Sequence, residues 1–144
     1  MPDDRQLNGT EPIGQDEIVF RRVLKSQYKP DKDQLSAKGF NPRPSDTTGI
    51  SLCRANYLPD PKPEAAAALG RAGMEFWVVE LRAADLRSAG MEVKPEPSQE
   101  FIGHASIPIL NAASVDTSDT KILTDSASRL PRTIHGPFTG KALA

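Results

Sequence analysis

Residues 75–81 read EFWVVEL, and this stretch decides what kind of sheet the chain can build. Aromatic and β-branched side chains favour a pleated backbone. A nearly continuous apolar run of this length fits a strand buried on both faces, so residues 75–81 are expected at a central position.

Outward from there, three more segments carry strand signals. Residues 17–24, EIVFRRVL, alternate so that Ile18, Phe20, Arg22 and Leu24 share one face. Val19, Arg21 and Val23 share the other, which puts an arginine on each. Residues 49–55, GISLCRA, place Ile50, Leu52 and Arg54 on one face and Ser51 and Cys53 on the other. A fourth strand falls within 101–110, FIGHASIPIL, and ends or becomes an edge at Pro108, which lacks a ladder donor. A short fifth strand is expected at 91–94.

Helix signals are fewer. PEAAAALGRAG at 63–73 starts on a proline, carries an early Glu64 and trails into Gly73, which fits a two-turn helix. AADLRS at 83–88 precedes Gly90. Residues 116–130 have partial helical spacing through Ile122, Leu123, Ala127 and Leu130, diluted by Thr and Ser. These elements predict a small single α+β domain. It has a mostly antiparallel sheet of about four or five strands, short helices and long Pro-rich loops. A doubly wound fold is second choice, because the helices are too short to cover both faces of a parallel sheet.

The domain is expected to span 16–130. Residues 1–15 are poor in large apolar side chains and read as a flexible arm. Residues 131–144 read as a tail that covers an edge or dangles. The middle is long enough to bury one core. No repeat is evident, and the only low-complexity run is AAAA at 65–68.

Among 144 residues, 18 Lys and Arg stand against 19 Asp and Glu, a net charge of −1, which argues against nucleic-acid binding. Hydrophobic residues make up 38%, and ten Gly and thirteen Pro indicate a loop-rich chain. No run approaches the ~18 apolar residues of a membrane helix, so no membrane association is expected. The first thirty residues lack a basic start followed by an apolar core, and their acidic residues suit neither a secretory signal nor a transit peptide. One cysteine, Cys53, permits no internal disulfide. The expected location is the cytoplasm.

Dinucleotide and phosphate loops of the types G-x-G-x-x-G and G-x-x-x-x-G-K-[ST] are absent, as are H-E-x-x-H and G-x-S-x-G. The FTGK at 138–141 lacks the preceding glycine pattern. With two histidines and one cysteine, no metal and no cofactor are expected. Cys53 lies mid-strand, where a thiol is ordinarily a small buried hydrophobe; the alternative is a nucleophile with His104 as its base. His104, flanked by small residues in GHAS, suits acid–base work or a hydrogen bond to a loop carbonyl.

The arginines form the most suggestive set. Arg21, Arg22 and Arg54 lie on expected strands, and Arg43 sits in the loop NPRP just before the second. Guanidiniums converging on one face would hold a carboxylate or phosphate in a bidentate fork. The plainer readings are ion pairs to Glu17, Glu75 or Glu80, or exposure on a half-solvated sheet. Ser36 and Phe40 lie on the connecting loop. Tyr28, Phe40 and Tyr57 are either ring platforms for a ligand or anchors for their loops.

Two functional expectations follow. The first is a binding or accessory protein without catalysis. It would hold a protein partner or a small anionic ligand on a face built from Arg22, Arg54, Arg43, Ser36 and Tyr57. The second starts from a first-strand arginine, a loop bearing Ser and aromatics, and a second strand. Over residues 17–57 this order resembles small single-domain ADP-ribosyltransferase-type folds, although the family's motif wording is absent. The resemblance implies NAD as substrate, Arg21 or Arg22 on its pyrophosphate, Tyr28 or Tyr57 stacking, and Glu80 as the acid. In an enzyme, Glu80 and His104 are the catalytic candidates.

Overall fold

The apolar run at 75–81 becomes an interior strand of a six-stranded antiparallel sheet. The structure is a computed structural model and describes residues 8–142. In chain order the strands are β1 (Ile18–Leu24), β2 (Tyr28–Lys29), β3 (Gln34–Leu35), β4 (Ile50–Arg54), β5 (Glu75–Arg82), β6 (Lys94–Pro95), β7 (His104–Ile107) and β8 (Thr133–Thr139). Three helices join them: α1 (Lys62–Ala68), α2 (Ala83–Ser88) and α3 (Ser118–Ser128). The main sheet runs β6-β7-β4-β1-β5-β8, and β2 and β3 form a separate hairpin.

The α+β character stands, with more strands than the four or five expected. The fifth strand shrinks to the two residues of β6, which start where the expected 91–94 segment ends. Met91 and Val93 are instead buried as core side chains. The two-turn helix expected from Pro63 is α1, Lys62–Ala68, and that over 116–130 occupies Ser118–Ser128, where the Thr117 hydroxyl accepts from Thr120 N at 3.2 Å.

Alternation explains both faces of the sheet. Val19, Val23, Ile50, Leu52, Val79 and Leu81 point to the larger core, which α2, α3 and the 3-10 turn Ala37–Phe40 cover. Phe20, Cys53 and Val78 point the other way, under α1 and Leu58. Ala66 and Ala67 of α1 are fully buried. Their small side chains let this short helix lie close against the sheet. The near-continuous apolar run of β5 therefore reflects two cores, one on each face. β5 lies one strand in from the edge, between β1 and β8, rather than at the centre.

At the C-terminal end the edge-covering alternative agrees with the structure, while the N-terminal arm differs from its expected flexibility. Residues 133–139, assigned to the tail, form β8 and cover the free edge of β5, from Glu75↔Thr139 to Glu80↔Thr133. Gly136 and Pro137 interrupt the strand pattern, and an edge strand tolerates such a proline. Residues 8–15, assigned to the arm, pack onto the body: Gly9 and Ile13 are buried. Residues 1–7 of that arm lie outside the described residues. No helix among the described residues is long and apolar enough to cross a membrane.

One irregularity positions the site. β1 pairs with β5 along its whole length, from Ile18↔Arg82 to Leu24↔Phe76. With β4 it pairs only at Val19↔Arg54 and Phe20↔Cys53. Beyond that point the ladder stops, while β4 continues to pair with β7 as far as Ile50↔Ile107. The middle of the sheet is open between Arg21–Arg22 and Ser51–Leu52.

Candidate functional site

The opening between β1 and β4 leads into a cleft of about 330 Å³. Arg21 and Arg22 come from β1, Ser51 and Cys53 from β4, and His104 from β7. Arg43 and Asp46 come from the Pro-flanked loop before β4, and Arg71 from the turn after α1.

Arg21 spans the gap that the missing ladder leaves. Its Nη1 donates to Ser51 O at 3.0 Å and its Nε to Gly39 O at 2.9 Å. Burial lowers its pKa to about 10; the Asp46 carboxylate opposes that shift, and Arg22 and Arg43 add to it. The guanidinium remains cationic at neutral pH. Arg22 lies on the opposite face of β1, with its guanidinium carbon 6.0 Å from the Phe76 ring centroid. Its Nη1 donates to Ala66 O at 3.0 Å and approaches Cys53 Sγ at 3.4 Å. Gly70 makes room for this stem: a Cβ there would stand 2.4 Å from the Phe76 ring and 3.0 Å from Arg22 Cδ.

Both arginines donate to neutral acceptors, and among the described residues neither is hydrogen-bonded to a carboxylate. Asp46 is the only carboxylate among the described residues lining the cleft, and its Oδ2 accepts from the Arg43 backbone at 2.7 Å. Among the described lining residues, four arginines and His104 accompany one carboxylate, so the side chains lining the cleft carry a net positive charge.

His104 is held from both sides. Its Nδ1 lies 2.8 Å from Glu96 O and 3.5 Å from a Glu96 carboxylate oxygen. Its Nε2 lies 2.9 Å from Ser51 Oγ. A carbonyl only accepts, so the proton belongs on Nδ1. In the neutral ring Nε2 then accepts from the Ser51 hydroxyl. Cys53, directly opposite His104 in the ladder, is buried, and burial pushes its thiol pKa up against the influence of Arg22. That favours the small-hydrophobe role for Cys53 over the nucleophile.

The cleft thus brings together Arg22, Arg43 and His104 from the candidate set. The others lie elsewhere. Arg54 is 2% exposed and closes the paired end of β4. Its Nε donates to Glu17 Oε2 at 2.6 Å and its Nη2 to Glu17 Oε1 at 3.0 Å. Its Nη1 donates to Glu11 O at 3.0 Å. Desolvation opposes its charge, yet the Glu17 hydrogen bond and charge raise its pKa overall. Tyr57 belongs to the same cluster: its ring centroid lies 5.4 Å from the Arg54 guanidinium carbon, and its hydroxyl donates to the Glu11 carboxylate. The cluster fastens residues 9–17 to the body. Arg21 and Arg22 therefore do not converge with Arg54.

Ser36 caps the turn Ala37–Phe40, its Oγ accepting from Lys38 N at 3.1 Å. It lines a larger hollow of about 720 Å³ beside α3. There Arg129 pairs with Asp125 at 3.4 Å and Arg132 with Asp33 at 3.2 Å, so much of its positive charge is compensated. Glu80 faces His135 of β8, 2.8 Å from its Nε2, and does not line the cleft. Tyr28 packs edge-on against Trp77 and donates to Asp33 at 2.7 Å.

Ser51, Asp46 and Arg71 were not singled out in the sequence. The one signal for Ser51 was its shared strand face with Cys53; its pairing with His104 depends on a register that neither strand reveals alone. No group of three or more His, Cys, Asp and Glu among the described residues could hold a metal ion. The chain matches no protein-family model, no curated protein and no solved structure.

Proposed function

We propose that this protein binds a small phosphate-bearing anion in the cleft between β1 and β4. The observation that carries the reading is the charge imbalance: among the described residues that line the cleft, Arg21, Arg22, Arg43 and Arg71 stand against the single carboxylate of Asp46. Guanidiniums bind phosphate oxygens bidentately and stay charged in confined sites. A cleft of about 330 Å³ lies at the small end of ligand pockets, ~300–1,000 Å³. The NAD-consuming alternative would share Arg22, but Glu80 lies outside this cleft, as do Tyr28 and Tyr57. Binding is therefore the better-supported reading.

The test is a thermal-shift series with inorganic pyrophosphate, ADP-ribose and NAD. A ligand at about 100 times its Kd adds ~2.7 kcal/mol, a rise of roughly 5–10 °C for a chain of this size. Pyrophosphate is expected to raise the melting temperature of the native protein, and Arg22→Gln/Arg43→Gln to abolish the rise. An equal rise in the double variant, or none in the native protein, refutes the reading. A rise with NAD accompanied by release of nicotinamide would replace it with the enzyme alternative.

A further inference from the structure

We propose that Ser51 is a nucleophile activated by His104, and that the cleft hydrolyses a phosphate monoester; the substrate class rests on the anion-binding reading above. Three observations converge. Ser51 Oγ is 2.9 Å from His104 Nε2, within reach for direct proton transfer. The far ring nitrogen is fixed by Glu96 O at 2.8 Å, which selects the tautomer whose Nε2 can accept a proton. Finally, Ser51 and His104 open into the cleft that Arg22 and Arg43 line. A nucleophile, a base and a group orienting the base recur in activated serines on unrelated folds and are recognised by geometry.

The base is held rigidly. Glu96 and His104 are also joined through the backbone, Glu96 N donating to His104 O at 2.9 Å. The Arg21 guanidinium donates to Ser51 O, which fixes the backbone under the nucleophile. Cys53 is the wrong nucleophile, since its sulfur is buried and its thiol is held protonated.

The chemistry balances without a further reactant except water. Ser51 Oγ attacks phosphorus while the bond from phosphorus to the leaving alcohol oxygen breaks. The hydroxyl proton passes to His104 Nε2 and from there to the leaving oxygen. Water, losing a proton to the same Nε2, then attacks the phosphoserine. The Ser51–phosphorus bond breaks, phosphate departs, and Ser51 recovers its proton. The guanidiniums of Arg22 and Arg43 neutralise the phosphoryl oxygens throughout.

The experiment exposes the folded chain to a fluorophosphonate probe and reads intact mass and the labelled peptide. Fluoride leaves as the Ser51 Oγ–phosphorus bond forms. The expected result is one adduct on Ser51, blocked by inorganic pyrophosphate and absent in Ser51→Ala. In His104→Gln, shown by its melting curve to be folded, labelling should slow by about 100-fold, the scale of lost general-base assistance. A serine that merely hydrogen-bonds a histidine would not label. An unlabelled native protein that still shows a pyrophosphate thermal shift overturns the nucleophile and leaves the anion site standing. Labelling of Ser51 without any pyrophosphate shift keeps the nucleophile but overturns the phosphate-ester substrate and the anion-binding reading with it. Labelling of His104→Gln at the native rate overturns the pair.

Discussion

Replacing Arg54 by methionine is expected to destabilise the protein by about 3–5 kcal/mol, the cost of removing one partner from a buried ion pair. Arg54 is 2% exposed and its Glu17 partner is also largely withdrawn from water, with side-chain exposure of 9%. Without the guanidinium, Glu17 is left as an uncompensated charge, and Glu11 O loses its donor. The same change releases the segment that Arg54 and Tyr57 fasten through Glu11. Urea denaturation measures the effect. Pairing Arg54→Met with Glu17→Gln should recover part of the loss, since the stranded charge disappears. A loss below about 1 kcal/mol in the single variant would mean that the pair behaves as a surface contact. Pyrophosphate binding should survive this variant, because Arg54 does not line the cleft.

Phe40→Ala should cost a similar amount, about 3–5 kcal/mol, as expected when a fully buried aromatic side chain is truncated. Phe40 is 0% exposed and ends the 3-10 turn Ala37–Phe40, which packs against the larger core. The turn sits flush on β1: a Cβ on Gly39 would approach Val23 Cγ1 to 2.7 Å. Gly39 also supplies the carbonyl that accepts from Arg21 Nε. Loosening the turn should therefore weaken pyrophosphate binding as well as stability. This coupling separates Phe40→Ala from Arg54→Met, which should reduce stability alone. Denaturation and a pyrophosphate titration on both variants check it; unchanged affinity in Phe40→Ala would show that Arg21 is held independently of the turn.

What the sequence disclosed follows from how local each cause is. EFWVVEL, EIVFRRVL and GISLCRA are strands because their own side chains favour a pleat and alternate across it, and the structure places strands at all three. AADLRS, followed by Gly90, appears as α2 at Ala83–Ser88. β8 was hidden because Gly136 and Pro137 break its pattern, and only the unpaired edge of β5 makes it a strand. The ion pair of Arg54 with Glu17 was among the readings the sequence allowed, but the packing of residues 9–12 was hidden, because there Arg54 grips backbone carbonyls, which carry no side-chain signature.

The site divides in the same way. Arg22, Arg43 and His104 could be picked out by residue type and setting. That Arg22 and Arg54 face different ways depends on strand direction and on the register Val19↔Arg54. That Ser51 meets His104 depends on β4 lying beside β7, a long-range pairing that one sequence does not reveal.

The central claim is that the opening between β1 and β4 is where an anion binds. Titrating inorganic pyrophosphate into isotope-labelled protein, with amide resonances followed by NMR, tests it most directly. The expected result is saturable shifts concentrated at Arg21, Arg22, Asp46, Ser51 and His104, and lost in Arg22→Gln/Arg43→Gln. Shifts gathered instead around Ser36, Lys38 and Arg129 of the larger hollow, or no saturable shift anywhere, would contradict the account.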